Sequence, residues 1–413
     1  MSTETGSKAT ISCLCGSIRQ TVTLSPVDTD IVFCHCTACR HMSGQLFTSY
    51  VALSSAPTSL VSLKKYNSGP DHPNLETTCY YFCSTCGCHV FQRSSYYSDS
   101  DASNDDSNDK EQFEWSVATG VITSSENDNP NHRIQWQHQK ADDTKDLGLS
   151  LWLPSASNST STSTSNIGQK ATKIPDIITV PNTRNTKDLN NIFPAACHCK
   201  RISFHLTRPS QASILPHRGY PDAMYSYAAE PERLTSNPHD EKWWLRGPEP
   251  QCTSSTSSRT PPLDVESITS FTRYFTGACV CKSCRLASGF EIQCWAFVPR
   301  CNIQFASVVE GTLDFDALPP GLLKRYESSP GVWREFCPTC GATVFYHAEK
   351  AKDVIDVSVG LFDGDRGARA EDWLEWGRER VSYAEEVREG RKDGMADWAE
   401  RLLKGLEEGM KGS

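Results

Sequence analysis

The amino-acid sequence predicts a mainly β protein with two related domains in tandem, each held together by cysteines that bind metal. Its 413 residues are enough for two or three domains. One cysteine pattern occurs twice along the chain, and short β-type runs separate the cysteine groups. Together these observations favour a duplicated zinc-binding unit over one large globule.

Seven cysteines recur in the same order in each copy. The order is CxC, then CxCxxCR followed by Ser-Gly, then FCxTCG followed by Val-Phe. The first copy holds Cys13, Cys15, Cys34, Cys36, Cys39, Cys83 and Cys86, and the second holds Cys197, Cys199, Cys279, Cys281, Cys284, Cys337 and Cys340. A match of this length and order is not expected by chance, so we interpret it as a duplicated domain.

Composition sets the expected domain boundaries. We expect the first domain over residues 10–153 and the second over residues 193–385. The linker between them, residues 154–192, is rich in Ser, Thr and Asn, and we expect it to be disordered because it has little apolar surface to bury.

Two further polar segments interrupt the copies. Residues 94–110 are rich in Ser, Asp and Asn and predict a loop in the first domain. Residues 209–266 form a Pro- and Ser-rich insertion in the second domain. This insertion contains Trp243 and Trp244, around which we expect partial order.

Short apolar or alternating runs between the cysteine groups predict β-strands. They lie at residues 18–24, 46–53, 202–206, 292–298 and 354–359. Glycines follow several of the cysteine pairs, where the backbone must turn tightly around a metal. We therefore expect strands joined by metal-clamped turns.

Residues 386–413 carry the pattern of an amphipathic C-terminal helix. Apolar side chains recur there at helical spacing, at Met395, Trp398, Leu402, Leu403, Leu406 and Met410. We expect this stripe to pack on the chain's own domain. The alternative is that it binds a protein partner.

Cysteine usage predicts a cytoplasmic protein with reduced thiols. Residues 1–12 are polar and lack the apolar core of a secretion signal, and no apolar run approaches the roughly 18 residues of a membrane span. In a reducing compartment, clusters among the 19 cysteines are expected to bind metal rather than form disulfides. The net charge of −9 argues against nucleic acid as a partner, because phosphate binding needs a basic surface.

Ligand counting divides each set of seven cysteines into four and three. Zinc prefers four tetrahedral ligands, and thiolates suit it. The CxC and FCxTCG pairs would close one saturated, structural site per domain. These sites comprise Cys13, Cys15, Cys83 and Cys86, and Cys197, Cys199, Cys337 and Cys340. We expect two zinc ions per domain and four in the chain.

The remaining three cysteines of each copy lie on one short loop and would leave a zinc coordination position open. They are Cys34, Cys36 and Cys39, and Cys279, Cys281 and Cys284. An open position accepts water or a substrate thiolate, which favours a reactive site. The alternative is a second structural site, with a fourth ligand from Cys79, Cys88, Cys294, Cys301, His35 or His41.

An arginine follows the third cysteine of each loop, Arg40 in the first copy and Arg285 in the second. One interpretation is an anchor for a substrate carboxylate, because Arg pairs bidentately with carboxylates. The alternative is a surface ion pair or donation to loop carbonyls. His35, His41 and His89 have no counterparts in the second copy, which argues against a catalytic role shared by both.

The motif order resembles the glutathione-dependent formaldehyde-activating enzyme family, which is grouped with centromere protein V. Residues 34–44 resemble the family's central motif, and residues 325–331, 336–345 and 357–364 resemble its C-terminal half. Residues 373–376 are similar to the tail of tandem, fungal-type members. The resemblance implies a β-tent fold, related to zinc ribbons, for each domain. It also implies the same division of the cysteines into four and three.

The resemblance further implies a carbon–sulfur lyase with glutathione as co-substrate. In such a reaction a thiol and a small aldehyde combine, as glutathione and formaldehyde do in S-hydroxymethylglutathione. We expect the two triple-cysteine loops to carry this chemistry. The alternatives are another small thiol or aldehyde substrate, a non-catalytic zinc scaffold that binds a partner, and a chromatin-associated protein, for which the sequence lacks a basic segment.

Overall fold

The structure, a computed structural model, confirms the predicted mainly β fold with two similar halves. It describes residues 6–25, 31–69, 78–96, 112–125, 135–155, 191–224, 236–247, 270–305 and 312–412. Residues 97–110 of the expected polar loop and residues 156–190 of the expected linker lie outside the described residues.

The first half consists of a small and a large sheet. Its elements are β1 (Lys8–Ser12), β2 (Arg19–Thr23), β3 (Ile31–Cys34), α1 (Thr37–Ser43), β4 (Thr48–Ala52), β5 (Leu63–Asn67), β6 (Thr78–Cys83), β7 (His89–Tyr96), β8 (Gln112–Ala118), β9 (Ile122–Ser125) and β10 (Trp136–Gln139). The small sheet has the order β2-β1-β9, and the large sheet has the order β10-β3-β4-β8-β7-β6-β5. Of the strands described in this half, β10 alone pairs in parallel, with β3.

The second half repeats this plan. Its elements are β11 (Ile192–Ala196), β12 (Ser203–Thr207), β13 (Leu245–Arg246), β14 (Arg273–Cys279), α2 (Lys282–Ser288), β15 (Gln293–Pro299), β16 (Ile303–Phe305), β17 (Lys324–Ser329), β18 (Val332–Phe336), β19 (Thr343–Ala348), β20 (Val354–Ser358), β21 (Leu374–Trp376) and, at the end of the chain, α3 (Asp393–Lys411). Its large sheet has the order β13-β14-β15-β20-β19-β18-β17, and β21 runs parallel to β14 as β10 does to β3. Strand β13, which belongs to the insertion, has no counterpart among the described strands of the first half.

Strand pairing places the first cysteine of each triple-cysteine loop at the same position in both halves. Cys34 ends β3 opposite Thr48, and Cys279 ends β14 opposite Gln293. These pairs occupy matching positions of the repeat. The two triple-cysteine loops therefore leave equivalent edges of the two large sheets.

The two halves pack against each other through reciprocal contacts. The Leu14 amide donates to the Leu286 carbonyl (3.1 Å), and the His198 amide donates to the His41 carbonyl (3.0 Å). These are the same contact with the halves exchanged. Buried side chains of both halves form one continuous apolar core. The tandem chain thus resembles an internal dimer with approximate two-fold symmetry.

The predicted C-terminal helix is present as α3, and its apolar stripe is buried. The buried residues are Met395, Ala396, Trp398, Ala399, Leu402, Leu403, Leu406 and Met410. The helix follows the second half in sequence but lies against β9 and the segment around Trp152 and Leu153 of the first half. The stripe is therefore covered by the chain itself, but by the first half and not by the second half that precedes it in sequence.

The helices in the described residues are short or rich in charge, and none has the length and apolar character needed to cross a bilayer.

Candidate metal centres

Each half brings together four cysteines from two turns that are far apart in sequence. Cys13 and Cys15 follow β1 and meet Cys83 and Cys86, which lie at the end of β6. In the second half the matching group is Cys197, Cys199, Cys337 and Cys340. The four sulfur atoms of each group lie within 4.8 Å of one another.

Tight turns and backbone amides hold these sulfur atoms in place. Gly87 and Gly341, which follow the second cysteine pairs, have φ angles of 81° and 83°, a conformation that favours glycine. Amide groups point at the sulfur atoms, as from Ile18 to Cys13 (3.4 Å) and from Ile202 to Cys197 (3.3 Å). A thiolate is stabilised by such donors, so the turns are suited to hold deprotonated cysteine.

The sulfur geometry fits a tetrahedral zinc ion. The Cys13–Cys15 and Cys15–Cys83 sulfur distances are both 3.5 Å, and Cys197–Cys337 is 3.7 Å. Zinc–sulfur bonds of about 2.3 Å in a tetrahedron place the sulfurs about 3.8 Å apart. A disulfide would need about 2.05 Å, and every cysteine in the described part of the chain is free. The ligand chemistry and spacing therefore support two four-thiolate sites.

The three remaining cysteines of each half form a second, separate group. Cys34 ends β3, Cys36 caps the N-terminus of α1 and accepts the Cys39 amide, and the three sulfur atoms lie within 4.8 Å of one another. Cys281 caps α2 in the same way, between Cys279 and Cys284. Hydrogen bonds from Cys34 and Cys39 lower the pKa of the Cys36 thiol.

No fourth His, Cys, Asp or Glu joins either triple group among the described residues. The alternative ligands from the sequence are engaged elsewhere. Cys79 contacts Asn67, Cys88 contacts the His89 carbonyl, Cys301 contacts Asn302, His35 contacts His138, His41 contacts Asp363, and Cys294 is buried within β15. The triple groups therefore present three sulfur ligands each, which leaves room for a ligand from outside the chain.

Arg40 and Arg285 are buried and point across to the opposite half. Arg40 Nη1 donates to the Phe362 carbonyl (3.4 Å), and Arg285 Nη1 donates to the Gly120 carbonyl. Burial lowers the pKa of Arg285 to about 9. These contacts join the two halves and agree with the alternative interpretation, in which the arginines donate to carbonyl groups.

The first triple group is flanked by a pair of buried histidines. His35 Nε2 lies 2.8 Å from His138 Nδ1, and His138 Nε2 contacts the Leu153 carbonyl. A carbonyl only accepts, so His138 donates through Nε2–H, and its Nδ1 accepts a hydrogen bond from the Nε2–H group of His35. Burial lowers the pKa of His35 to about 3, which keeps it neutral.

The second triple group is flanked by a buried arginine that sequence reasoning missed. Arg334 on β18 donates to Ser283 Oγ (3.0 Å), and its Nη1 lies 3.6 Å from Cys284 Sγ. Burial alone would lower the pKa of Arg334, but the Cys284 and Cys281 thiolates raise it. A signal was present: two residues before each FCxTCG motif the copies differ, with Tyr80 in the first and Arg334 in the second.

The insertion binds the second half through further polar side chains. Arg218 bonds Asp356 on β20 (2.7 Å), and Asp222 binds Arg380 through two bonds of 2.9 Å. Trp243 and Trp244, expected to order the insertion, are both buried, and Trp243 packs on Phe297. The described part of the insertion is therefore a packed wall of the second half.

Comparison with protein families supports the resemblance that the motifs indicate. A family model described as "Glutathione-dependent formaldehyde-activating enzyme" matches residues 8–128 and 265–375, which together make up more than half of the chain. Each matched segment contains a complete triple-cysteine loop. Comparisons with curated proteins and with solved structures gave no match.

Proposed function

Because the chain belongs to the glutathione-dependent formaldehyde-activating enzyme family, we propose that it is a zinc-dependent carbon–sulfur lyase. Its substrates are a small thiol, glutathione or a close relative, and a small aldehyde such as formaldehyde. The observation that carries this proposal is the triple-cysteine group, whose three sulfur atoms lie within 4.8 Å of each other with no fourth protein ligand among the described residues.

The four groups of thiols would hold four zinc ions with two different roles. The four-cysteine groups are saturated, so their metal would contribute to folding alone. The triple groups would hold zinc with one free position, where zinc supplies the chemistry of keeping a bound substrate thiol deprotonated at neutral pH.

The proposed reaction balances without an oxidant or reductant. The thiolate sulfur donates an electron pair to the aldehyde carbon, and a carbon–sulfur bond forms. The carbonyl π pair moves to oxygen, which takes up the proton that the thiol released. The product is a hydroxymethyl thioether, and the reverse reaction breaks the carbon–sulfur bond.

The protein contributes rigid placement of the three sulfur ligands. Cys36 and Cys281 are fixed at helix N-termini by amide donors at 3.4 Å and 3.3 Å. Arg40 and Arg285 tie the helices that follow to the opposite half. The conformational entropy of these thiols has already been lost in folding, so they need not rearrange when the substrate arrives.

The test is the rate of adduct exchange between formaldehyde and glutathione, followed by NMR with the zinc-loaded full chain against a buffer blank. We expect acceleration that is lost in the double variant Cys36→Ser/Cys281→Ser, while the structural sites keep their zinc. Cys301→Ser is the matched control, because Cys301 lies outside all four groups, and it should keep full activity.

A wild-type rate equal to the blank would contradict the lyase proposal for this substrate pair and shift support to a zinc scaffold. Unfolding of the double variant would show that the triple groups are structural.

A further inference from the structure

The two triple-cysteine sites differ in the row of residues that faces them. In the second half this row crosses three neighbouring strands as Arg334, Tyr346 and Asp356. In the first half the residues at the matching positions are Tyr80, Gln92 and Ser116, and they pair across three neighbouring strands in the same way. A duplicated framework therefore carries an ionic row at one site and a neutral row at the other.

Arg334 is buried and is committed to the cysteine loop. Only 4% of its surface is exposed, its described bonds go to Ser283 and Cys284, and its Nε has no hydrogen-bond partner in the described structure. A buried cation is costly unless an anion accompanies it. Asp356 at the far end of the row is bonded to Arg218, and the anions that contact Arg334 directly are the thiolates of the cysteine cluster.

Charge counting explains why one cluster would need such a residue. Three thiolates on a divalent ion leave one net negative charge, and a fourth thiolate from a substrate adds another. In a buried site this second charge is unfavourable unless a cation lies beside it. Arg334 provides that cation at the second site, whereas Tyr80 at the matching position is neutral.

The insertion strengthens the difference between the sites. Arg218 holds Asp356 at the end of the row, and Asp222 accepts the backbone amide of Tyr383 (2.6 Å). These groups are absent from the first half because the insertion is absent there. Buried ionic networks of this kind lower stability unless every member is satisfied, so their presence indicates a site that is built for polar chemistry.

Judged by the exposure of its thiols alone, the first site would be the one that binds substrate. Cys34, Cys36 and Cys39 are half-buried, whereas Cys279, Cys281 and Cys284 are each no more than 6% exposed. Exposure gives access, but water competes for the open position and screens the charges that hold a thiolate. Lys282, next to Cys281 in the chain, and Tyr383 are exposed polar side chains close to the second site.

We propose, on the basis of the proposed function, that the second triple-cysteine site and not the first accepts the substrate thiol, and that Arg334 is the positioning residue that makes it competent. Arg334 acts through Cys284, by compensating the charge of the fully thiolate-ligated cluster. The first site holds its metal without binding the thiol.

The test separates thiol binding from catalysis by omitting the aldehyde. The full chain is loaded with Co²⁺ in place of zinc and titrated with glutathione, while the sulfur-to-cobalt charge-transfer absorption is recorded. We expect one glutathione per chain. Arg334→Gln should weaken this binding roughly 10- to 100-fold, as expected for loss of a charged hydrogen bond.

Matched variants distinguish charge from structure. Arg334→Lys keeps the charge and should recover part of the affinity, and Cys281→Ser should abolish binding. Tyr80→Phe is the control at the matching position of the first half and should bind as wild type does. All variants are checked for the cobalt bound by their four-cysteine groups.

Two results would overturn the proposal: wild-type affinity in Arg334→Gln, or loss of glutathione binding in Cys36→Ser with binding kept in Cys281→Ser. The proposed function can fail on its own, if glutathione binds at the second site but the NMR rate equals the blank. Conversely, an accelerated rate that depends on Cys36 and not on Cys281 supports the function and refutes the site assignment.

Discussion

Substitution of one glycine in the C-terminal helix tests whether this helix holds the two halves together. Gly409 faces Trp152 so closely that an added Cβ would lie 1.8 Å from the Trp152 carbonyl oxygen. Gly394, in the first turn of the same helix, has no atom within 4 Å of its Cβ position. Gly409→Ala and Gly394→Ala therefore make the same chemical change in one helix, with and without a steric clash.

The expected difference between the two variants is about 3 kcal/mol. Both gain roughly 0.8–1 kcal/mol of helix propensity, which cancels in the comparison. Carbon and oxygen need about 3.3 Å, so the last turn must move away from a backbone that cannot rotate aside. Overpacking of this kind costs about 1–3 kcal/mol. The cost of the clash cannot exceed that of detaching the last turn, which would expose Leu406 and Met410 at about 1.5–3 kcal/mol each.

Hydrogen exchange of the α3 amides measures this local stability directly, without the assumption that the whole chain unfolds in one two-state transition. A cost of 3 kcal/mol corresponds to exchange about 100-fold faster in Gly409→Ala than in Gly394→Ala. Zinc content should be equal in both variants. Equal protection of α3 in the two variants would refute the docking of this helix on the first half.

Three further predictions concern single residues. Cys13→Ser should release one zinc ion per chain and destabilise the first half, as measured by zinc content and hydrogen exchange, since structural zinc contributes to folding; zinc loss without destabilisation would contradict this role. Burial lowers the pKa of His89 to about 4. Between pH 6.5 and 4 the unfolded chain takes up a proton that the folded chain does not. The free energy of unfolding should therefore decrease by on the order of 3 kcal/mol as the pH is lowered from 6.5 to 4. His89→Gln should flatten the unfolding free energy over this window, and an unchanged slope would refute the assignment. Lys200 has a φ of 61° where the first copy has Gly16, so Lys200→Gly should raise the melting temperature through about 0.5–1 kcal/mol of relieved strain, and a lower melting temperature would count against it.

The sequence by itself determined the fold class and the thiol groups. The run at residues 354–359 became β20, Val354–Ser358, and the stripe at the end of the chain became α3. Cysteine spacing determined which sulfurs meet, because a CxC or CxxC turn is too short to separate its two thiols. These features are encoded within a few residues or in the chemistry of the ligand, so a repeated pattern is enough to predict them.

The surroundings of the thiols were decided only by the tertiary structure. Arg334 reaches Cys284 from a strand that lies far along the chain, and Arg40 reaches Phe362 in the other half. Neither contact follows from local spacing, because each depends on how strands and halves pack. The apolar stripe of α3 predicted burial but not its location on the first half, since many apolar surfaces could cover it. The grouping of the thiols can thus be predicted from sequence, whereas the charges beside them depend on packing between distant segments.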